Sequence, residues 1–253
     1  IPNGVTSIGN STFYGCTALK SVLIPDSVTF IGDEAFSNCK HLATIKIPDS
    51  VTLIGRQVFA GCSGLTNLII GNSVTYIGDR SFSGCSSLAR VIIPESVTRI
   101  RCGAFRDCTS MTTVVIPDSV KFIREDAFRG CSGLREVAIG KNVIGIGSYA
   151  FSGCSALTSV TIPDSVNFIG HGVFSYCYQL RHFYGKFATE DNRCLIIEGE
   201  LNSFAQAGLT EYKISDGITS IGSEAFRGCI SLKSVIIPDS VISMGECTFS
   251  RCI

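Results

Sequence analysis

The chain has 253 residues, of which 45% are hydrophobic and only 17% charged, enough apolar material for a packed body and too little charge for a disordered one. Its 21 acidic and 21 basic residues cancel, so no global field favours nucleic acid, an anionic membrane or an acidic substrate. No apolar run approaches the roughly 18 residues that span a bilayer, and no basic-then-apolar leader opens the sequence, so membrane insertion is not expected.

From its first residue the chain repeats. Anchoring isoleucines stand at Ile1, Ile24, Ile47, Ile70, Ile93, Ile116, Ile139 and Ile162, and again at Ile214 and Ile237. Cysteine keeps the same 23-residue step from Cys16 through Cys177 and from Cys229 to Cys252, with phenylalanine three positions earlier in each unit. A period of this length is the signature of a solenoid, in which each unit covers its neighbour's apolar faces. Residues 1–184 therefore read as regular repeats, and the whole of 1–253 as one solenoid.

Within a unit the reading starts at Leu42-x-x-Ile45-x-Ile47, a short strand with alternate residues inward. Pro48 ends it, because proline cannot donate to a ladder, and Asp49-Ser50 is turn chemistry. Val51-x-x-Ile54 crosses to a second wall, and the Gly-ended Val58–Cys62 stretch predicts one helical or 3-10 turn. A column of glycines (Gly9, Gly32, Gly55, Gly78, Gly147, Gly170, Gly222, Gly245) is interrupted by Arg101 and Arg124. Either the position does not demand positive φ, or those two units are strained.

The beat lapses once. Residues 185–213 form a 29-residue unit in which Cys194–Ile197, a Glu198-Gly199 turn and Glu200–Phe204 predict a β-hairpin, before Leu209-x-x-Tyr212-x-Ile214 restores the strand motif. This unit is a tolerated joint between subarrays or a recognition element projecting from the stack, with Phe187, Arg193 and Tyr212 as its first contacts. Regular repeats resume over 214–253, the last one truncated. Because the chain starts and stops inside the pattern, it reads as an excerpt, with any signal, anchor or capping repeat outside it.

Little in the sequence carries chemistry. The cysteine column predicts a reduced, buried packing ladder, since identical neighbours offer no unique disulfide partner; Cys102, Cys194 and Cys247 lie off the column and are the expected reactive thiols. No Cys-x-x-Cys occurs and His41, His171 and His182 fall in different columns, so neither a metal nor another cofactor is expected. The recurring Asp-Ser pairs are structural, because an active site needs one singular constellation, and no enzyme is predicted. Arg101/Arg124 and Arg106/Arg129 sit in matching columns, with Asp107, Glu125 and Asp126 as the expected neutralising partners.

The strand positions pointing outward vary while the interior columns hold nearly constant. One such row runs Leu23, Lys46, Ile69, Ile92, Val115, Ala138, Thr161, Tyr184 and Ile236, and its apolar middle predicts an exposed binding stripe. The neighbouring row contributes Arg90, Glu136 and His182. The competing explanation is that β-branched residues simply suit strands.

The motif Leu-x-x-Val-x-Ile-Pro, then Asp-Ser-Val-Thr-x-Ile-Gly and Ala-Phe-x-x-Cys, as in Leu19 to Cys39, resembles the BspA-like class of leucine-rich repeats. The resemblance implies a right-handed solenoid with a parallel β-sheet on its concave face and short strands and turns on its convex side. It further implies a protein displayed at a microbial cell surface or secreted, adhering to host or matrix proteins. A carbohydrate-binding surface, or a spacer without ligand, are the alternatives.

Overall fold

Each 23-residue unit makes one turn of a coil with three walls, and about ten turns stack into a parallel β-solenoid. The computed structural model describes residues 1–252. The first wall is built from the predicted alternation: in Thr44–Lys46, Ile45 is buried and Lys46 exposed, and the strand pairs in parallel with Asn67–Ile69 at Thr44↔Asn67 and Lys46↔Ile69, one repeat on. Thr113–Ile116 pairs with Glu136–Ile139, Ser159–Ile162 with His182–Gly185, and Glu211–Lys213 with Ser234–Ile236. This ladder comes in two-stranded patches. Residues 91–93 join no strand, and Arg90 meets Thr113 only in an isolated bridge.

The longest continuous sheet lies on the second wall. Leu53–Ile54, Tyr76–Ile77, Arg99–Ile100, Phe122–Ile123, Gly145–Ile146 and Phe168–Ile169 form one six-stranded parallel sheet. The Asp-Ser turns lock successive units between the first two walls. Ser50 Oγ donates to the Val28 carbonyl at 2.5 Å and Ser119 Oγ to that of Val97 at 2.7 Å, while Asp118 Oδ1 accepts from Lys141 N at 2.9 Å.

The third wall carries the phenylalanine and cysteine columns, and its turns are not helical. Residues in the left-handed region bracket each one, as at Gln57 (φ 55°) and Gly61 (φ 71°), so the bonds Ala60 N to Gln57 O and Cys62 N to Phe59 O close single turns that cannot propagate. The freed amides point at the next unit instead, with Phe59 N donating to Ser81 O and Phe105 N to Ala127 O, both at 2.8 Å. The rings from Phe13 to Phe174 stack face to face, centroids 5.0–5.9 Å apart and planes within 3–8°. Behind them the column's cysteines from Cys39 to Cys177, and Cys252, donate their thiols to the phenylalanine carbonyl of the preceding unit, as Cys62 to Phe36 at 3.1 Å and Cys108 to Phe82 at 3.3 Å. The column is thus a packing ladder with a hydrogen bond at most of its rungs, and all 13 cysteines are free.

The glycine column does not need positive φ, for none of its members adopts it. It needs a missing side chain: a Cβ on Gly147 would lie 2.6 Å from Glu125 N. Where arginine intrudes, the unit gives way. The amides of Gly32, Gly147, Gly170 and Gly245 donate across the repeat at 2.8 Å, whereas those of Arg101 and Arg124 do so at 3.2 Å. Asp79 then holds the Arg101 guanidinium through two bonds of 3.2 Å, and Arg124 lies over the Phe122 ring, 4.8 Å from its centroid. Arg106 is held by Asp107 and Asp126, and Arg129 by Asp126; Glu125 takes no part among the described residues.

The irregular unit contains the predicted hairpin, Cys194–Ile197 against Glu200–Phe204, with a bulge between Leu195 and Ile196. It does not project. Residues 201–207 are buried, Glu200 and Leu201 pair in parallel with Ser220 and Ile221, and Phe204 packs at a tilt against Phe226, which in turn stacks on Phe249. The hairpin therefore replaces the second wall and supplies the missing ring. The ring stack is nonetheless broken between Phe174 and Phe204, and the apolar interior divides there into two clusters.

Candidate binding surfaces

The outward rows of the first wall are laid out by the 23-residue register, so residues one repeat apart in sequence stand side by side on the face: Lys46 beside Ile69, Val115 beside Ala138, Thr161 beside Tyr184. Ile69, Ile92 and Val115 are 49%, 74% and 64% exposed, and Tyr184 is 43% exposed. Apolar side chains that turn this much area to solvent stand out, and these three follow one another one repeat apart along the face. Lys46, Arg90 and Glu136 are also exposed, and His182 is half-buried with its ring 6.0 Å from that of Tyr184. Where the strand ladder lapses at residues 91–93, a groove of about 410 Å³ opens, walled by Arg90, Ile92, Pro94, Thr113 and Val115. Sequence reasoning found these residues by their periodicity but not the groove, which comes from a missing rung.

The residues expected to project from the irregular unit are tied into it. Phe187 is partly buried against the main apolar cluster, with Lys186 Nζ 5.1 Å from its ring centroid. Arg193 Nη1 donates to the carbonyls of Ala205 at 3.2 Å and Ala207 at 3.0 Å, pinning the end of the hairpin. The Tyr212 hydroxyl donates to Asp191 at 3.0 Å and lies 3.2 Å from the Cys194 thiol.

Of the three off-column thiols, Cys102 and Cys247 are exposed as expected, but Cys194 is not. It lies inside the hairpin, and burial pushes its thiol up to about 12, so the expectation of a reactive Cys194 is overturned. Burial also raises Cys102, with Asp79 adding to it, so that thiol is accessible without being activated. No cluster of three or more metal-ligating side chains occurs among the described residues, and none of their helices is long and apolar enough to cross a membrane.

The sequence matches the model of the BspA type leucine-rich-repeat region, in six copies, over residues 1–112, 98–190 and 200–253. The chain belongs to the BspA-type leucine-rich-repeat family. Among solved structures, this BspA-type chain is similar to a leucine rich cell surface protein from Faecalibacterium prausnitzii A2-165, at 33% identity and a TM-score of 0.82 over 91% of its length. It spans 66% of that protein. It also resembles the Treponema pallidum (T. pallidum) leucine-rich-repeat protein TpLRR, at 35% identity and a TM-score of 0.57, covering 70% of this chain and 72% of that one. The pneumococcal vaccine antigen PcpA, 18% identical with a TM-score of 0.63 over 98% of this chain and 54% of its own, shares the fold. No protein of curated function matches the sequence. The BspA-type family is a repeat scaffold of the kind that binds other proteins, and a bacterial cell surface protein is among the structural neighbours of this chain.

Proposed function

We propose that this BspA-type array is a non-catalytic adhesion module, displayed at a microbial cell surface or secreted, which captures a protein partner on its first wall. The observation that carries the reading is the stripe Ile69-Ile92-Val115 running past the groove beside Arg90. An apolar centre flanked by mixed charge, here Lys46, Arg90 and Glu136, is the layout of a protein-binding patch, whose core excludes water while the rim selects by charge. His182 and Tyr184 extend the same face toward the C-terminal half. Surface location is supported by the F. prausnitzii neighbour, which is a cell surface protein. Host and extracellular-matrix proteins are the partner class to try first.

Surface-immobilised array is exposed to a panel of purified extracellular-matrix and cell-surface proteins, and each hit is re-measured with Ile92→Glu and Val115→Asp. Both positions are exposed, so folding survives and capture is lost, each burying a charge in the contact at a cost of about 2 kcal/mol or more, roughly thirtyfold in Kd. A spacer without ligand binds none of the panel, and a hit that ignores both substitutions places the contact elsewhere.

A further inference from the structure

The break in the array creates a second, chemically different recess on the second wall. The six-stranded sheet ends at Phe168–Ile169, and the next second-wall sheet begins with the hairpin, so no backbone ladder joins them. The Asn202 side chain partly fills the missing rung, its Nδ2 donating to the carbonyls of Ile169 and Gly170 at 3.4 Å each. Between the two sheets lies a cleft of about 440 Å³, within the roughly 300–1,000 Å³ of small-molecule sites. Phe168, His171, Ser148, Glu200, Asn202 and Ser223 wall it.

These side chains converge on one kind of ligand. Glu200 lies across Gly222, where a Cβ would come within 2.6 Å of its Oε1, and its carboxylate has no ion-pair or hydrogen-bond partner among the described residues. His171 uses only Nδ1, 3.2 Å from Ser148 Oγ, while its ring is propped edge-on by Tyr149 at 5.1 Å. Ser223 Oγ accepts the Glu246 amide at 3.1 Å and keeps its hydroxyl proton to donate. No lysine or arginine lines the cleft, and the free Glu200 carboxylate disfavours an anionic ligand. Beside these polar groups stands Phe168, 56% exposed, its ring closing over Gly145 from one side as that of Phe122 does from the other. A free carboxylate, an imidazole and hydroxyls set against one bare aromatic face fit a ligand with a hydroxyl edge and an apolar face. We propose that the cleft at the repeat joint binds a neutral saccharide, with Phe168 under the sugar ring and Glu200, His171 and Ser223 on its hydroxyls.

This site stands on the second wall and does not depend on the protein-binding stripe. Saturation-transfer NMR and calorimetry with lactose, mannobiose, N,N′-diacetylchitobiose and, as acidic comparison, glucuronate test it on the intact chain. At least one neutral disaccharide is expected to bind with a Kd of about 1 mM or below. Phe168→Ala and Glu200→Ala should each weaken it about tenfold, with the unfolding midpoint unchanged, and Ile92→Glu should leave it unaltered. No transfer to any of the neutral disaccharides, equal binding of glucuronate, or binding that survives both cleft substitutions overturns the proposal.

Discussion

Alkali should unfold this protein through its cysteine column. Cys62, Cys85, Cys108, Cys131, Cys154 and Cys177 are all buried, and burial, reinforced by neighbouring thiols at several rungs, raises every one, Cys62, Cys131 and Cys177 to about 12. In the unfolded chain such thiols ionise near about 8.5. A folded pKa above the unfolded one means that the thiols' contribution is fully present below about pH 8.5 and is lost as the pH climbs toward the folded value. At pH 10 each thiol held near 12 favours the unfolded state by about 2 kcal/mol, so Cys62, Cys131 and Cys177 together contribute about 6 kcal/mol, comparable to the whole stability of a small domain, and the other raised thiols act in the same direction. Tyr149 and Tyr212, raised chiefly by burial, add only near the top of this range because free tyrosine itself titrates near about 10. Urea midpoints measured under reducing conditions at pH 7, 8, 9 and 10 should therefore fall steeply above pH 8.5. The pair Cys85→Ser and Cys131→Ser removes two of the titrating groups while keeping a donor for the phenylalanine carbonyl, so the slope should become shallower. A midpoint that is flat from pH 8 to 10, or a slope that the double variant shares with the parent, refutes the reasoning.

Three further outcomes are expected. Phe105→Ala, which empties a fully buried rung with a ring on each side, should cost about 3–5 kcal/mol by chemical denaturation, and Phe13→Ala, partly buried with one stacking neighbour, clearly less; equal losses would contradict nearest-neighbour stacking. Glu224 accepts the Tyr149 hydroxyl at 2.7 Å and pairs with Arg227, which also donates to the Tyr176 hydroxyl at 2.8 Å, bridging the gap left by the irregular unit. Glu224→Ala strands those donors, so the C-terminal repeats should melt ahead of the rest in a hydrogen-exchange profile, with a loss of about 3 kcal/mol. Gln57→Gly relieves a left-handed non-glycine residue whose penalty is about 1–2 kcal/mol, offset by glycine's greater unfolded freedom, so a small gain of about 0.5 kcal/mol in the urea midpoint is the expected sign.

The sequence by itself determined the period, the inward columns, the parallel register and the place of the hairpin. It could do so because every unit must present the same side chains to identical neighbours, and Ile45-x-Ile47, Phe59 and Cys62 recur wherever that demand does. It also picked out Ile69, Ile92 and Val115, since alternation alone says which strand residues face outward. What only the tertiary structure decided lies at the departures from the repeat. The left-handed residues at Glu34, Gln57 and Arg80 carry no glycine to betray them, so the expected helical turn gave way to a ladder between units. Arg193 and Cys194 look exposed in a polar, off-beat segment, yet the hairpin turns inward because its neighbours on both sides need a covered wall. The cleft of Phe168, His171 and Glu200 joins residues from units that share no motif. A repeat pattern specifies what each unit offers the next, whereas a gap between two units depends on how far apart the packing leaves them.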